Sequence, residues 1–166
     1  MSIAPKILYI IDIDGCICDA RQRYELAGPE PTCLKISPEW QTWVKLVMNQ
    51  ELMIQDIPVP GMLETCLILA SAQPLLYVTS RSEIHYSITR EWLLKHKFPL
   101  MSNGLIMRPE TNFESDAIFK EAIIESYQTK YKINSIVVLD DDLTGKLAQL
   151  CKKHNWTFMK LLGFSL

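Results

Sequence analysis

Residues 6–11 read KILYII, an unbroken apolar run that ends at Asp12. A run without polar alternation predicts a strand covered on both faces, as in a parallel sheet. Residues 75–78, 105–107, 136–139 and 156–160 repeat that character and predict four more strands. Helical spacing fills the gaps between them. Ser37-Pro38-Glu39 is an N-cap with proline at the first helical position, and the helix it opens runs to about Asn49. Trp40, Trp43, Val44 and Val47 lie on one of its faces and read as core residues. Residues 62–72 predict a second helix and 82–96 a third, with Ile84, Ile88, Trp92 and Leu93 in register. Residues 113–127 predict a fourth, turning Ile118, Phe119, Ala122 and Ile123 inward, and 143–154 a fifth. The stretch 15–37, broken by Gly28, Pro29 and Pro31, predicts a long irregular loop of the kind that carries function. Pro58, Pro60 and Gly61 close the next loop. Strands alternating with helices make the class α/β, with a mainly parallel five-stranded sheet.

Composition narrows this. The 166 residues are 48% hydrophobic and 22% charged, the profile of one folded domain over 1–166 rather than of a disordered chain. A chain of this length buries roughly 70% of its unfolded surface, so it needs no disulfides. The formal charge of −2 disfavours a broad basic platform for nucleic acid. No apolar run reaches the length of a membrane span, since 66–78 is broken by Ser71, Gln73 and Pro74. The opening MSIAPKILYIIDIDG reaches Asp12 and Asp14 before any cleavage pattern, so no secretory signal is read and a cytoplasmic protein is expected. Five cysteines, an odd number, are expected as reduced thiols. Cys16 and Cys18 form a Cys-x-Cys, with no second pair or nearby His to complete a zinc site. Cys16 reads as a position open to oxidation rather than a catalytic one.

The polar residues of interest fall just after strands, where ligands bind in open α/β sheets. Asp12 and Asp14 follow the first strand, Thr79 the second, and Asp140-Asp141-Asp142 the fourth, while Lys120 sits in the helix before that fourth strand. Loop acids also cap helices, a role open to Asp141 or Asp142 before Leu143. Asp12 and Asp14 are two apart and point the same way on an extended chain. Two close carboxylates need positive charge between them. A hard dication with oxygen ligands supplies it, Mg²⁺ being usual beside phosphates. Asp140 or Asp141 would complete the ligands, with Lys120 and Thr79 directed at phosphate oxygens. Together these describe a phosphoryl-transfer site. No P-loop and no dinucleotide-binding glycine motif is present. The order Asp-x-Asp, Thr, Lys, Asp-Asp also differs from that of a response-regulator receiver.

That ordered set resembles motifs one to four of the haloacid dehalogenase (HAD) phosphohydrolases, over most of the chain. The resemblance narrows to the 3′-phosphatase domain of phage-type polynucleotide kinases. Arg23 stands nine residues after Asp14, Thr79-Ser80-Arg81 follows the second strand, and Asp116 precedes Lys120 in Asp-x-x-x-Lys. Trp92-Leu93 and Met107-Arg108-Pro109 also fit. The departures are Cys16 for Thr, Ser80 for Gly and Asp142 for Arg. The resemblance implies a HAD-like three-layer sandwich with residues 15–61 as a flap and minimal helical cap. It implies Asp12 as nucleophile, Asp14 as general acid and base, and Thr79 and Lys120 as catalytic holders of the phosphoryl group. The implied Mg²⁺ site uses Asp12, the main-chain carbonyl of Asp14, Asp140 and Asp141. Arg23, Ser80, Arg81 and Asp116 are implied on the substrate side, Arg23 and Arg81 as clamps on phosphate or ribose and Asp116 orienting the Lys120 ammonium, with Arg108 a weaker candidate.

Both usual cap insertion points are short, which favours an open site and bulky substrates such as polymer ends. The expected activity is a Mg²⁺-dependent phosphomonoesterase on nucleotides or nucleic-acid 3′-ends, with a separate kinase or ligase as possible partner. The alternatives are a phosphatase of free nucleoside monophosphates or other small esters, and a non-catalytic HAD-like binding domain.

Overall fold

A computed structural model describes residues 6–33 and 37–161. The elements run β1 (Ile7–Ile11), β2 (Cys18–Asp19), α1 (Arg21–Ala27), α2 (Pro38–Val47), α3 (Gln50–Met53), β3 (Ile57–Pro58) and α4 (Met62–Ala72). They continue with β4 (Leu75–Ser82), α5 (Tyr86–Lys95), β5 (Leu105–Arg108), α6 (Asp116–Tyr131), β6 (Ser135–Asp140), α7 (Lys146–Lys153) and β7 (Thr157–Lys160). The main sheet has the order β5-β4-β1-β6-β7 and every pairing in it is parallel. β2 and β3 form a separate antiparallel pair.

β1 is central, and its side chains divide between two cores. Leu8 and Ile10 join Leu76, Val78, Ile136 and Val138 under α6 and α7. Ile11 and Tyr77 face the other way, onto Met62 and Cys66 of α4 and Trp92 and Leu93 of α5. Helices therefore cover both faces of the sheet, which is why its strands carry no polar alternation. Trp92 is fully buried, stacks on Phe98 at 5.4 Å between centroids, and donates its indole N–H to the Asp56 carbonyl at 2.7 Å. It thereby ties α5 to the segment that precedes β3.

Several boundaries differ from the sequence expectation, each for a local reason. The stretch 15–37, of which 34–36 lie outside the described residues, contains β2 and α1. α1 starts at Arg21 behind Ala20, which offers no side-chain cap, it has no acid in its first turn, and its buried residue is Arg23, so neither capping nor apolar spacing announces it. α2 ends at Val47, because Asn49 accepts the Leu52 amide and opens α3. The helix expected from residue 82 begins as a 3₁₀ turn, Glu83–His85, and leaves Ile84 exposed. α6 starts at Asp116 behind the Ser115 cap, leaving Phe113 outside it and 82% exposed. Its inner face is Ala117, Phe119, Lys120 and Ile124, with Ile118 and Ala122 turned outward. α7 starts at Lys146, behind Gly145 at φ 71°, with Leu143 exposed. Trp40 and Trp43 are half-buried and stand outside both cores. They pack on each other at 5.3 Å, and Trp43 meets the edge of Tyr24 at 5.9 Å. All five cysteines are unpaired. Among the described residues no helix is long and apolar enough to cross a membrane.

Trp92→Ala removes both the stacked ring and the bond to Asp56. The expected loss is about 3–5 kcal/mol, seen in calorimetry as a Tm lowered by roughly 6–20 °C.

Candidate active site

The strand register assembles one edge of the sheet. Ile11 pairs with Tyr77 on one side and Leu139 on the other, so Asp12 and Asp140 emerge together past the paired ends of β1 and β6, with Thr79 two residues beyond Tyr77 within β4. The Asp12 amide continues the ladder by donating to the Leu139 carbonyl at 3.1 Å. From α6, the Lys120 ammonium reaches into this edge. Its Nζ lies 2.6 Å from Asp140 Oδ2, 3.2 Å from Asp12 Oδ1 and 3.0 Å from Asp116 Oδ2, and its side chain is 1% exposed. Burial opposes the charge on Lys120, but the carboxylates of Asp12, Asp140 and Asp116 overcome it and lift its pKa well above that of a free lysine. Asp12 is pushed up in turn, first by burial, then by Asp140, Asp116 and Asp141 against the pull of Lys120.

Asp140 is fully engaged, since its second oxygen accepts the Asp142 amide at 2.8 Å. Asp142 in turn accepts from the Ala148 amide at 2.9 Å, inside α7. Asp141 is placed differently. Its carboxylate rests over Gly15, where a Cβ would stand 2.2 Å from Asp141 Oδ2, and Gly15 has φ +77°. Glycine is therefore required there both by the backbone and by the close approach. Donor atoms of Asp12, Asp141 and Cys16 lie within 4.8 Å of one another. Burial, with help from Asp140, raises Asp141 to about 6. Burial and the same acids hold the Cys16 thiol far above its ordinary range, so it is neutral.

The Asp14 carboxylate does not share a direction with that of Asp12. β1 ends at Ile11, and the Ile13 carbonyl accepts the amides of Cys16, Ile17 and Cys18 in a tight loop. That loop breaks the strand alternation, and Asp14 turns onto two guanidiniums. Arg81 donates from Nε at 2.8 Å and from Nη2 at 2.6 Å, and Arg23 from Nη2 at 2.6 Å. Burial alone would raise Asp14, yet Arg81 and then Arg23 hold it well below the usual carboxylate range. Both arginines are at most 1% exposed. Arg23 Nε also forks onto Asp56 at 2.8 and 3.1 Å, and its Nη1 donates to the Val47 carbonyl. Arg81 Nη1 donates to Thr89 Oγ1 at 3.3 Å. Arg23 and Arg81, expected as substrate clamps, thus spend their donors on Asp14 and on residues behind it.

Thr79 is buried, and its hydroxyl accepts the Arg81 amide at 3.3 Å where the pairing of β4 with β5 shifts register. Ser80 accepts from Arg108 Nη2 at 3.2 Å, and the same nitrogen bonds Asp116 at 3.1 Å. Arg108 therefore joins the site through Asp116. Asp56 is the member that sequence reasoning missed. Its partner Arg23 lies 33 residues away, and no motif connects them. One open groove of about 590 Å³ runs along α5, away from the site, and another of about 270 Å³ is lined by Asp19, Gln55 and the site's own Asp56.

Charge counting separates the two halves of the site. Asp14 and Asp56 face Arg23 and Arg81, two acids against two cations. Asp12, Asp116, Asp140 and Asp141 face Lys120 and, at Asp116 only, Arg108, four acids against two cations. This second group is short of positive charge, and its oxygen donors fit a hard dication.

No protein-family model and no curated protein matches the sequence. Solved structures do match in shape. A chain of the Pnkp1/Rnl/Hen1 RNA repair complex superposes with TM-score 0.66 and 18% identity, over 95% of this chain and 42% of that one. A haloacid dehalogenase-like family hydrolase of Streptococcus pneumoniae gives 0.67 and 15%, over 96% and 87%. A HAD-family enzyme of Bacteroides thetaiotaomicron, in complex with magnesium and inorganic phosphate, gives 0.55 and 11%, over 98% and 96%. The chain spans less than half of the Pnkp1-complex chain it resembles. At these identities the likeness is one of architecture: the chain has the fold of the HAD-superfamily hydrolases.

Proposed function

We propose that this chain is a Mg²⁺-dependent phosphomonoesterase acting on nucleotides or nucleic-acid 3′-phosphate ends, with Asp12 as its nucleophile. The observation that carries the reading is the buried Lys120 ammonium, 2.6–3.2 Å from Asp140, Asp116 and Asp12 at the carboxyl edge of a parallel sheet, with Asp141 alongside. The residues form one phosphatase domain, in which 15–61 is the flap and small cap.

An oxygen of Asp12 attacks phosphorus, the bond to the leaving alcohol breaks, and an aspartyl-phosphate remains. Asp14 gives the leaving oxygen its proton, then takes one from the water that attacks phosphorus and frees inorganic phosphate. Arg81 and Arg23 keep Asp14 ionised at rest, ready for the second step. The negative charge of an incoming phosphoryl group raises the Asp14 pKa and favours the protonated form that the first step needs. Arg23 and Arg81 thereby tune Asp14 instead of clamping substrate. Thr79 and Lys120 hold the transferred group, Asp116 and Asp140 hold Lys120, and Ser80 and Arg108 steady Asp116. Asp12, Asp141 and the main-chain carbonyl of Asp14 are the atoms that would hold Mg²⁺, with Asp140 behind them on Lys120. When bound, the ion neutralises charge on the phosphoryl oxygens.

Two observations support a bulky substrate. Among the described residues, the segment between β1 and α4 supplies only α1, α2, α3 and two two-residue strands, too little for a large lid. One chain of similar shape comes from the Pnkp1/Rnl/Hen1 RNA repair complex. A kinase or ligase supplying or consuming the ends is the natural partner.

Asp12→Asn is expected to reduce Mg²⁺-supported hydrolysis of an aryl phosphate to background, and retained turnover would rule out the mechanism. In a panel of a 3′-phosphorylated oligonucleotide with 3′- and 5′-mononucleotides, the highest kcat/KM belongs to the oligonucleotide. Activity confined to 5′-mononucleotides would make the protein a nucleotidase instead. Gly15→Ala pushes a methyl group into Asp141, so the Mg²⁺ concentration for half-maximal turnover should rise by about tenfold or more, measured by metal titration.

A further inference from the structure

We infer that the centre at the sheet edge is a mixed sulfur–oxygen site, in which Cys16 Sγ joins Asp12 and Asp141 to bind soft divalent ions such as Zn²⁺. The inference rests on the reading that Asp12 and Asp141 hold a cation, and it adds a third ligand and a preference among metals.

The geometry comes from the loop after β1. Cys16 follows Gly15, its amide donates to the Ile13 carbonyl at 3.2 Å, and its side chain is carried toward the acids rather than toward either core. Its sulfur and the carboxylate oxygens of Asp12 and Asp141 all fall within 4.8 Å of one another. Around one tetrahedral zinc ion, with sulfur at about 2.3 Å and oxygen at about 2.0–2.2 Å, such donors stand about 3.5 Å apart. Side-chain rotations that draw the three donors together by at most about 1.3 Å therefore close the set. The sulfur has little else to do: its only polar neighbour among the described hydrogen bonds is the Leu139 carbonyl, at 4.0 Å.

A second cysteine offers an internal contrast. Cys18 also has two acids within the same span, Asp14 and Asp56. That group already contains two guanidiniums, with Arg81 Nη2 3.4 Å from Cys18 Sγ and Arg23 Nη2 2.8 Å from Asp56. Its charge is balanced, and a dication there would meet two fixed cations. The Cys16 group has four acids against Lys120 and an Arg108 that reaches only the outlying Asp116. Thiolate sulfur favours zinc over magnesium, which takes oxygen ligands and keeps its waters. As the zinc–sulfur bond forms, the thiol proton passes to solvent. Zinc therefore competes with magnesium for Asp12 and Asp141 and holds on more tightly.

The test is zinc-edge X-ray absorption on the full chain loaded with one equivalent of Zn²⁺, together with a binding titration. Wild type should show one sulfur scatterer at about 2.3 Å among oxygens. In Cys16→Ser the sulfur disappears and Zn²⁺ affinity falls more than about tenfold. A wild-type shell of oxygen and nitrogen only overturns the inference, and this measurement does not depend on the variant folding. An unchanged sulfur shell in Cys16→Ser overturns it as well, by assigning the ligand to another cysteine. The cation-site reading is judged separately, on Mg²⁺-supported turnover of the wild-type chain. Turnover with an all-oxygen zinc shell leaves that reading standing and removes only the sulfur.

Discussion

Everything at the site depends on one buried ammonium. Lys120 enters the carboxyl edge of the sheet at 1% exposure, and three carboxylates meet it there. Removing a lysine head from water costs several kcal/mol, so the position is stable only because those partners surround it. The dependence runs both ways. Asp12 and Asp140 end neighbouring strands, and without Lys120 their charges would repel across the sheet. The inner face of α6 follows from the same constraint, since it turns Lys120 inward at the expense of Ile118.

Only Ile13 separates Asp12 from Asp14, yet the two acids stand in opposite electrostatic surroundings. Asp12 belongs to a group with surplus negative charge, and burial and its acidic neighbours push its pKa up. Asp14 belongs to a neutral quartet, and its two arginines hold its pKa down. Two like side chains are thereby made different by their partners, the separation that the proposed roles of nucleophile and proton carrier call for. The Ile13 carbonyl achieves the separation by collecting three amides and ending strand geometry between the two acids.

Much of this was legible in the chain. The apolar runs predicted the places of the main strands along the chain and their mainly parallel sense, because a strand buried on both faces has no reason to alternate. Asp12, Thr79, Lys120 and the Asp140 pair were visible as chemistry placed just after strands or facing them. Less legible was whatever depends on contacts distant in sequence. Asp56 gains meaning only from Arg23, and Arg23 only from being sealed beneath Val47 and Asp56. α1 carried no cap and no apolar stripe, because what it buries is an arginine. Trp40 and Trp43 had helical spacing appropriate to a core, but the face they share packs on α1 and not on the sheet. Asp140 and Asp141 are adjacent in sequence and indistinguishable there, while in the fold one is committed to Lys120 and the other rests on Gly15.

The reach of Arg23 has a mechanical consequence. This one side chain, on α1, joins the Val47 carbonyl at the end of α2, Asp56 ahead of β3 and Asp14 in the loop after β1. The segment between β2 and β3 is thus riveted to that loop at its middle rather than hinged at its ends. Swinging it aside would expose a guanidinium and two carboxylates at once and would strip Asp14 of one of its two arginines in the same motion.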